Sequence, residues 1–174
     1  MTTEVTLEAL VARTEILDCV HRYTRGMDRL DRELARSAYH HDAIDDHGGF
    51  VAEVEDFLDW AFDYHAKQIR HQHYVSNHSV ELDGGTAHAE TYYTFVGTDR
   101  DETLPVEIVG GRYLDRFERR EGRWAIAARV CVEEWRVLEP SALSSHLVAV
   151  VGRGVTRDPD DVSYRRPLTV ELES

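Results

Sequence analysis

Apolar residues at Leu7, Leu10, Val11, Leu17, Val20, Tyr23 and Met27 recur at helical spacing, which predicts an amphipathic helix beginning near Thr6 and running through Met27. Gly26 weakens it near its end, and Asp31 is placed to cap a second, short helix through about Tyr39. Val54, Phe57, Leu58, Ala61 and His65 share another stripe, so a third helix is expected over Val51–Ala66, with Phe57, Trp60 and Tyr64 making it aromatic. From Lys67 onward the period changes to two. Strands are predicted at Arg70–Leu82, Thr86–Val96, Val106–Arg119 and Arg123–Val137, with turns at Asp83-Gly84-Gly85 and Arg120-Glu121-Gly122 and a bend at Gly110-Gly111. A short strand is expected near Ala43–Asp46. Helices gathered before strands that are joined by short turns define an α+β chain with a mainly antiparallel sheet, because short turns reverse the direction of the chain.

The strand at Arg70–Leu82 departs from a simple inside–outside pattern. His71, His73, Val75 and Asn77 alternate onto one face, and Arg70, Gln72, Tyr74, Ser76 and His78 onto the other, so neither face is plainly apolar. Two readings stay open: histidines lining a polar cavity, or ordinary hydrogen-bonded strand residues. Asp28 falls near a helix C-terminus, where the dipole disfavours a carboxylate. Either a partner compensates it or it is solvated on a turn.

The segment His40-His41-Asp42-Ala43-Ile44-Asp45-Asp46-His47-Gly48 is dense in potential metal ligands. It completes no metal pattern, and neighbours on a strand point to opposite faces, so neither a metal centre nor a cofactor is expected. There is no nucleophile elbow and no phosphate loop, and Lys67 is the sole lysine available for a Schiff base. Gly152-Arg153-Gly154 lacks the third glycine of a dinucleotide motif and is followed by Asp158-Pro159. What remains is histidine and carboxylate chemistry.

The 174 residues suffice for one ordinary domain with a buried core. A formal charge of −13 repels nucleic acid and anionic membranes, and the arginines at 119, 120 and 123 are interleaved with Glu118 and Glu121 rather than forming a basic patch. Cys19 and Cys131 fit no redox or metal spacing, and no leader or bilayer-length apolar run is present. A cytoplasmic protein acting on a small molecule, with no nucleic-acid or membrane partner, is expected.

Tyr23-Thr24-Arg25-Gly26-Met27-Asp28, His41-Asp42-Ala43-Ile44-Asp45-Asp46-His47-Gly48, His73-Tyr74-Val75-Ser76-Asn77-His78 and Gly122-Arg123-Trp124-Ala125-Ile126, in that order, resemble the SnoaL-like branch of the nuclear transport factor 2-like superfamily. The resemblance covers about Leu7–Val137 and is strongest to the lyases of that branch, which include scytalone dehydratases, bile-acid 7α-dehydratases and hexachlorocyclohexane dehydrochlorinases. It implies a cone-shaped α+β barrel over residues 1–138, with helices packed in a strongly curved sheet. The tail, 139–174, would then pack on the sheet or on a neighbouring subunit. It also implies a His–Asp general-base pair at His73 and Asp28, assisted by Tyr23, with Arg129 at the position of a late-strand arginine; a basic first-helix residue found in some of these lyases has no counterpart. Phe57, Trp60, His71, Tyr93, Tyr113 and Arg129 are the expected substrate-binding residues, suited to an aromatic or alicyclic molecule. The expected activity is a cofactor-independent dehydratase-type elimination. Isomerisation or polyketide-type cyclisation by the same pair, or a noncatalytic small-molecule-binding module or subunit, are the alternatives. A homo-oligomer is expected, with a trimer preferred over a dimer.

Overall fold

Thr6 accepts a hydrogen bond from the Ala9 backbone N–H at 3.1 Å and starts helix α1, Leu7–Arg29. The structure, a computed structural model, describes residues 6–101, 103–139, 157–160 and 164. After α1 come α2 (Arg32–Arg36), β1 (Tyr39–His47), β2 (Phe50–Glu53), α3 (Val54–Ala66), β3 (Gln68–Asp83), β4 (Thr86–Asp99), β5 (Val106–Arg120) and β6 (Arg123–Glu139). The strands form one open six-stranded sheet in the order β2-β1-β6-β5-β4-β3. Every pairing is antiparallel except β1 with β6, which is parallel. This is the expected α+β architecture, with helices on one face of a mixed sheet.

The chain divides into two units, Met1–Ser141 and Ala142–Ser174. In the second, the Asp160 backbone N–H donates to the Asp158 carboxylate at 2.9 Å. The packing expected of the tail lies outside the described residues. Among the described residues, no helix is long and apolar enough to cross a membrane.

The helices differ from expectation at their edges, for local reasons. On α1 the buried stripe is Ala12, Ile16, Cys19, Val20, Tyr23 and Met27, whereas Leu7, Leu10 and Val11 are exposed. Gly26 does not end α1. A side chain there would collide with the backbone of Ala35, so the glycine lets α2 lie directly on α1. The helix ends instead at Leu30, in the left-handed region at φ 53°, with Asp31 N–H donating to the Gly26 carbonyl at 2.8 Å. Helix α2 stops at Arg36, well short of Tyr39. Residues 51–53, expected to open the third helix, belong instead to strand β2. The two-residue turn Gly48-Gly49, both at positive φ, folds it back on β1 as a hairpin.

The sheet turns follow the expected punctuation: Gly84 lies at positive φ between β3 and β4, and Glu121 and Gly122 between β5 and β6. The β5–β6 register shifts at Gly110/Gly111, the position at which the sequence predicts a bend. One alternation fails. A register shift between Val75 and His78 reverses the phase of β3, so that His78, and not Asn77, continues the inward set of His71, His73 and Val75.

At the centre of the core, Arg129 on β6 is fully buried and forms a two-pronged salt bridge with the fully buried Asp115 on β5, at 2.7 and 2.8 Å. Its guanidinium lies 4.3 Å from the ring centre of Tyr23 on α1 and 4.2 Å from that of Tyr113 on β5. Burial works against its charge, but Asp115 outweighs this and holds the guanidinium protonated above its ordinary range. Asp115→Ala leaves that cation buried without a counter-ion and is expected to destabilise the fold by about 3–5 kcal/mol in urea unfolding; the apolar pair Asp115→Leu with Arg129→Met should recover most of the loss. Equal stability of Asp115→Ala and wild type would show that the pair does not anchor the core.

Candidate active site

Asp28 and His73 meet where the end of α1 crosses β3. His73 donates twice to the same carboxylate. Its backbone N–H lies 3.1 Å from both Asp28 oxygens, and ring Nδ1 lies 2.7 Å from Oδ1. These bonds offset the unfavourable helix dipole at Asp28 and fix the ring's orientation. Because Nδ1 faces a carboxylate, it carries the proton of the neutral ring, and Nε2 keeps the lone pair.

His71 lies deeper, buried behind this pair. Its Nε2 is 2.9 Å from the Met27 carbonyl and 3.7 Å from Asp28 Oδ1; both are acceptors, so Nε2 is a donor. The rings of His65 and His71 stack at 4.2 Å. The ligand-capable atoms of Asp28, His71 and His73 lie within 4.8 Å of one another. That closeness is accounted for by hydrogen bonding, since His71 Nε2 and His73 Nδ1 both present protons there, and a metal would have to displace them.

His73 opens into a cavity of about 310 Å³, lined on one side by Tyr23 of α1 and by Trp60, Tyr64 and His65 of α3, and on the other by Tyr93, Phe95 and Tyr113 of the sheet. Of the residues expected at a pocket wall, Trp60, Tyr93 and Tyr113 line it together with His73 and Tyr23. Three others stand behind it. Phe57 is fully buried against Tyr23 and His47, His71 sits beneath His73, and Arg129 is locked in its salt bridge. Asp28 reaches the cavity only through His73. Burial pushes the Tyr23 phenol well above its ordinary pKa, so it stays protonated at neutral pH. At the rim, Tyr64 OH donates to Glu107, and Arg136 bridges Glu107 at 2.7 Å and Glu133 at 2.6 Å. A larger depression, about 580 Å³, lies on the exposed face of the sheet beside Glu81, His88, Leu114 and Val130 and contains neither His73 nor Asp28. Size does not decide between them; the convergence of oriented titratable groups favours the smaller cavity.

A second imidazole–carboxylate pair faces the same cavity. His47, near the end of β1, lines it, and its Nδ1 lies 3.1 Å from Oδ1 of the fully buried Asp45. Asp45 Oδ2 accepts from Tyr39 OH at 2.8 Å, and that hydroxyl accepts from Arg129 at 3.3 Å. Burial alone would lower the His47 pKa, but its hydrogen bond to Asp45 and the adjacent Cys131 outweigh this and push it up to about 10.

The family model for the SnoaL-like domain matches residues 8–130. The chain belongs to this family. Solved structures share its fold at low identity. A putative scytalone dehydratase from Novosphingobium aromaticivorans is 16% identical over 78% of this chain and 97% of its own, with a TM-score of 0.67. A hexachlorocyclohexane dehydrochlorinase from Novosphingobium barchaimii is 17% identical over 76% and 92%, at 0.66. A protein of unknown function from Mycobacterium tuberculosis is 22% identical over 96% of both chains, at 0.65. No curated protein matches the chain.

In this SnoaL-like protein, sequence reasoning missed His47 and Asp45 as a pair at the cavity, His65, and the Glu107–Arg136–Glu133 rim. For His47 a signal was present: Gly48-Gly49 directly after it marks a hairpin turn, which places His47 and Asp45 on one face of a strand end. His47 also predicts a pH dependence. Its folded pKa lies above the ordinary histidine value of about 6.5, so its contribution to stability is complete below that pH and disappears as pH rises through about 10. Urea unfolding measured between those limits should show wild type losing more stability than His47→Gln. Parallel pH profiles would mean that His47 is not held charged.

Proposed function

We propose that this protein is a cofactor-independent lyase that removes water from a small cyclic or aromatic substrate, with His73 as general base, Asp28 as its orienting partner and Tyr23 as a hydrogen-bond donor. The observation that carries this reading is the 2.7 Å contact between His73 Nδ1 and Asp28, which leaves Nε2 as the ring's basic nitrogen at a cavity wall. Two neighbours of the same fold bear names that denote elimination, a dehydratase and a dehydrochlorinase.

The chemistry follows from the proton inventory. Nε2 takes a proton from a substrate carbon next to a carbonyl, and the ionised Asp28 stabilises the imidazolium that forms. Electrons from the broken C–H bond pass onto the carbonyl oxygen, where Tyr23 donates a hydrogen bond. They return to form a carbon–carbon double bond as the C–O bond to a neighbouring hydroxyl breaks. The leaving hydroxide takes the proton from His73, departs as water and regenerates the base. The walls formed by Trp60, Tyr93, Phe95 and Tyr113 suit a flat or ring-shaped molecule.

Cyclic and aryl β-hydroxyketones are the probes of choice, because loss of water is read directly as conjugated-enone absorbance. Against a compound that wild type converts, His73→Ala should lower turnover by about two to four orders of magnitude and Asp28→Asn nearly as much, with circular dichroism unchanged. Undiminished turnover in His73→Ala, or loss of wild-type turnover on chelation, overturns the scheme. Saturable binding of these ketones without turnover would favour a binding module, and rearrangement without loss of water an isomerase or cyclase.

A further inference from the structure

We propose that the Asp45–His47 pair is the anion-receiving group of the cavity, placed to hold an oxygen that is negatively charged, or becomes so, on a ring compound bearing an acidic hydroxyl or an enolisable carbonyl. The lyase reading supplies only the moment at which such an oxygen gains its charge. The placement of the pair stands apart from it.

Charge balance within the core is the first argument. Asp45 is fully buried, and a carboxylate there needs a counter-charge. Arg129 does not supply it. Both of its carboxylate contacts go to Asp115, and it reaches Asp45 only through the Tyr39 hydroxyl. His47 contacts Asp45 directly and is the cation that balances it. The other groups packed on His47 are Phe57 and Trp60 of α3, Tyr113 of β5 and Cys131, its register partner on β6, none of them a cation. A proton on His47 is therefore favoured by geometry, in agreement with its raised pKa.

Access is the second argument. Nδ1 is taken by Asp45, yet 24% of the His47 side-chain surface remains accessible, and the ring lines the same cavity as His73. The aromatic wall runs between the two histidines: Tyr23 lies 6.5 Å from His73 and 5.7 Å from Tyr113, which lies 6.4 Å from His47. A ligand spanning this wall meets His73, held by Asp28, at one end and at the other the ring of His47, which is held by Asp45 and lies beside the Cys131 thiol. The two imidazoles are thus not redundant. When a proton passes from carbon to His73, the negative charge left on the substrate oxygen finds a cation in place, with no net change of charge in the cavity.

4-Nitrophenol tests this without turnover, because its phenolate absorbs at longer wavelength than the phenol. Bound to wild type, it should ionise about tenfold more readily than in free solution. His73→Ala should keep that shift and His47→Gln should lose it. Absence of a shift in wild type, its persistence in His47→Gln, or its loss in His73→Ala alone would each overturn the proposal. Should His47→Gln not fold, nitrogen NMR of wild type decides: both ring nitrogens of His47 protonated at neutral pH and perturbed by added 4-nitrophenol support it, and a neutral ring overturns it. A phenolate shift in a protein that dehydrates none of the ketone probes would leave this inference standing and remove the lyase reading; His73-dependent dehydration without the shift would do the reverse.

Discussion

A guanidinium with no exposed surface sets the terms for the rest of this molecule. Arg129 is costly to bury, and the cost is met by two bonds to Asp115 and by the faces of Tyr23 and Tyr113. These contacts join helix α1 to strands β5 and β6. The Tyr39 hydroxyl extends them to β1 and to Asp45. The polar core is thus a chain of groups from Asp115 to His47, each held by the one before, and it ends at the cavity wall. In many proteins such a network would only specify the packing; here its last member is positioned by the same bonds that hold the sheet to the helices.

The other imidazole reaches the cavity by a different route. Asp28 sits at the unfavourable end of α1, and two kinds of N–H from His73 offset that position. The strand's backbone and its side chain bind the same carboxylate, so the helix end and the ring cannot move independently. Gly26 contributes from one turn earlier, since only a residue without a side chain lets α2 pack against α1 and fixes the level at which α1 ends.

The two pairs differ because their surroundings differ. Asp28 is partly accessible and shares its charge with a backbone N–H, whereas Asp45 is fully buried and has His47 as its directly bonded cation. The same two residue types are therefore held in two different settings at one cavity, one partly accessible and one with its carboxylate fully enclosed.

Much of this was legible along the chain. Periodicity alone places the apolar stripe of α3 and the four long strands, and the Gly-containing turns between them require antiparallel pairing. The contact between Asp28 and His73 was legible in part, since an awkward carboxylate and a strand with two polar faces mark the two residues and the family resemblance pairs them. What local pattern does not encode was decided by the fold. The parallel pairing of β1 with β6 joins segments about eighty residues apart, and no turn chemistry announces it. The register shift after Val75 changes which histidines face inward, and nothing in the alternation of β3 marks it. Above all, Asp115 reads as an ordinary charged strand position and Arg129 as a pocket residue until the sheet brings the two together in the core. A buried charge is tolerated only where its partner is already in place, and that is a property of the assembled structure rather than of any stretch of the chain.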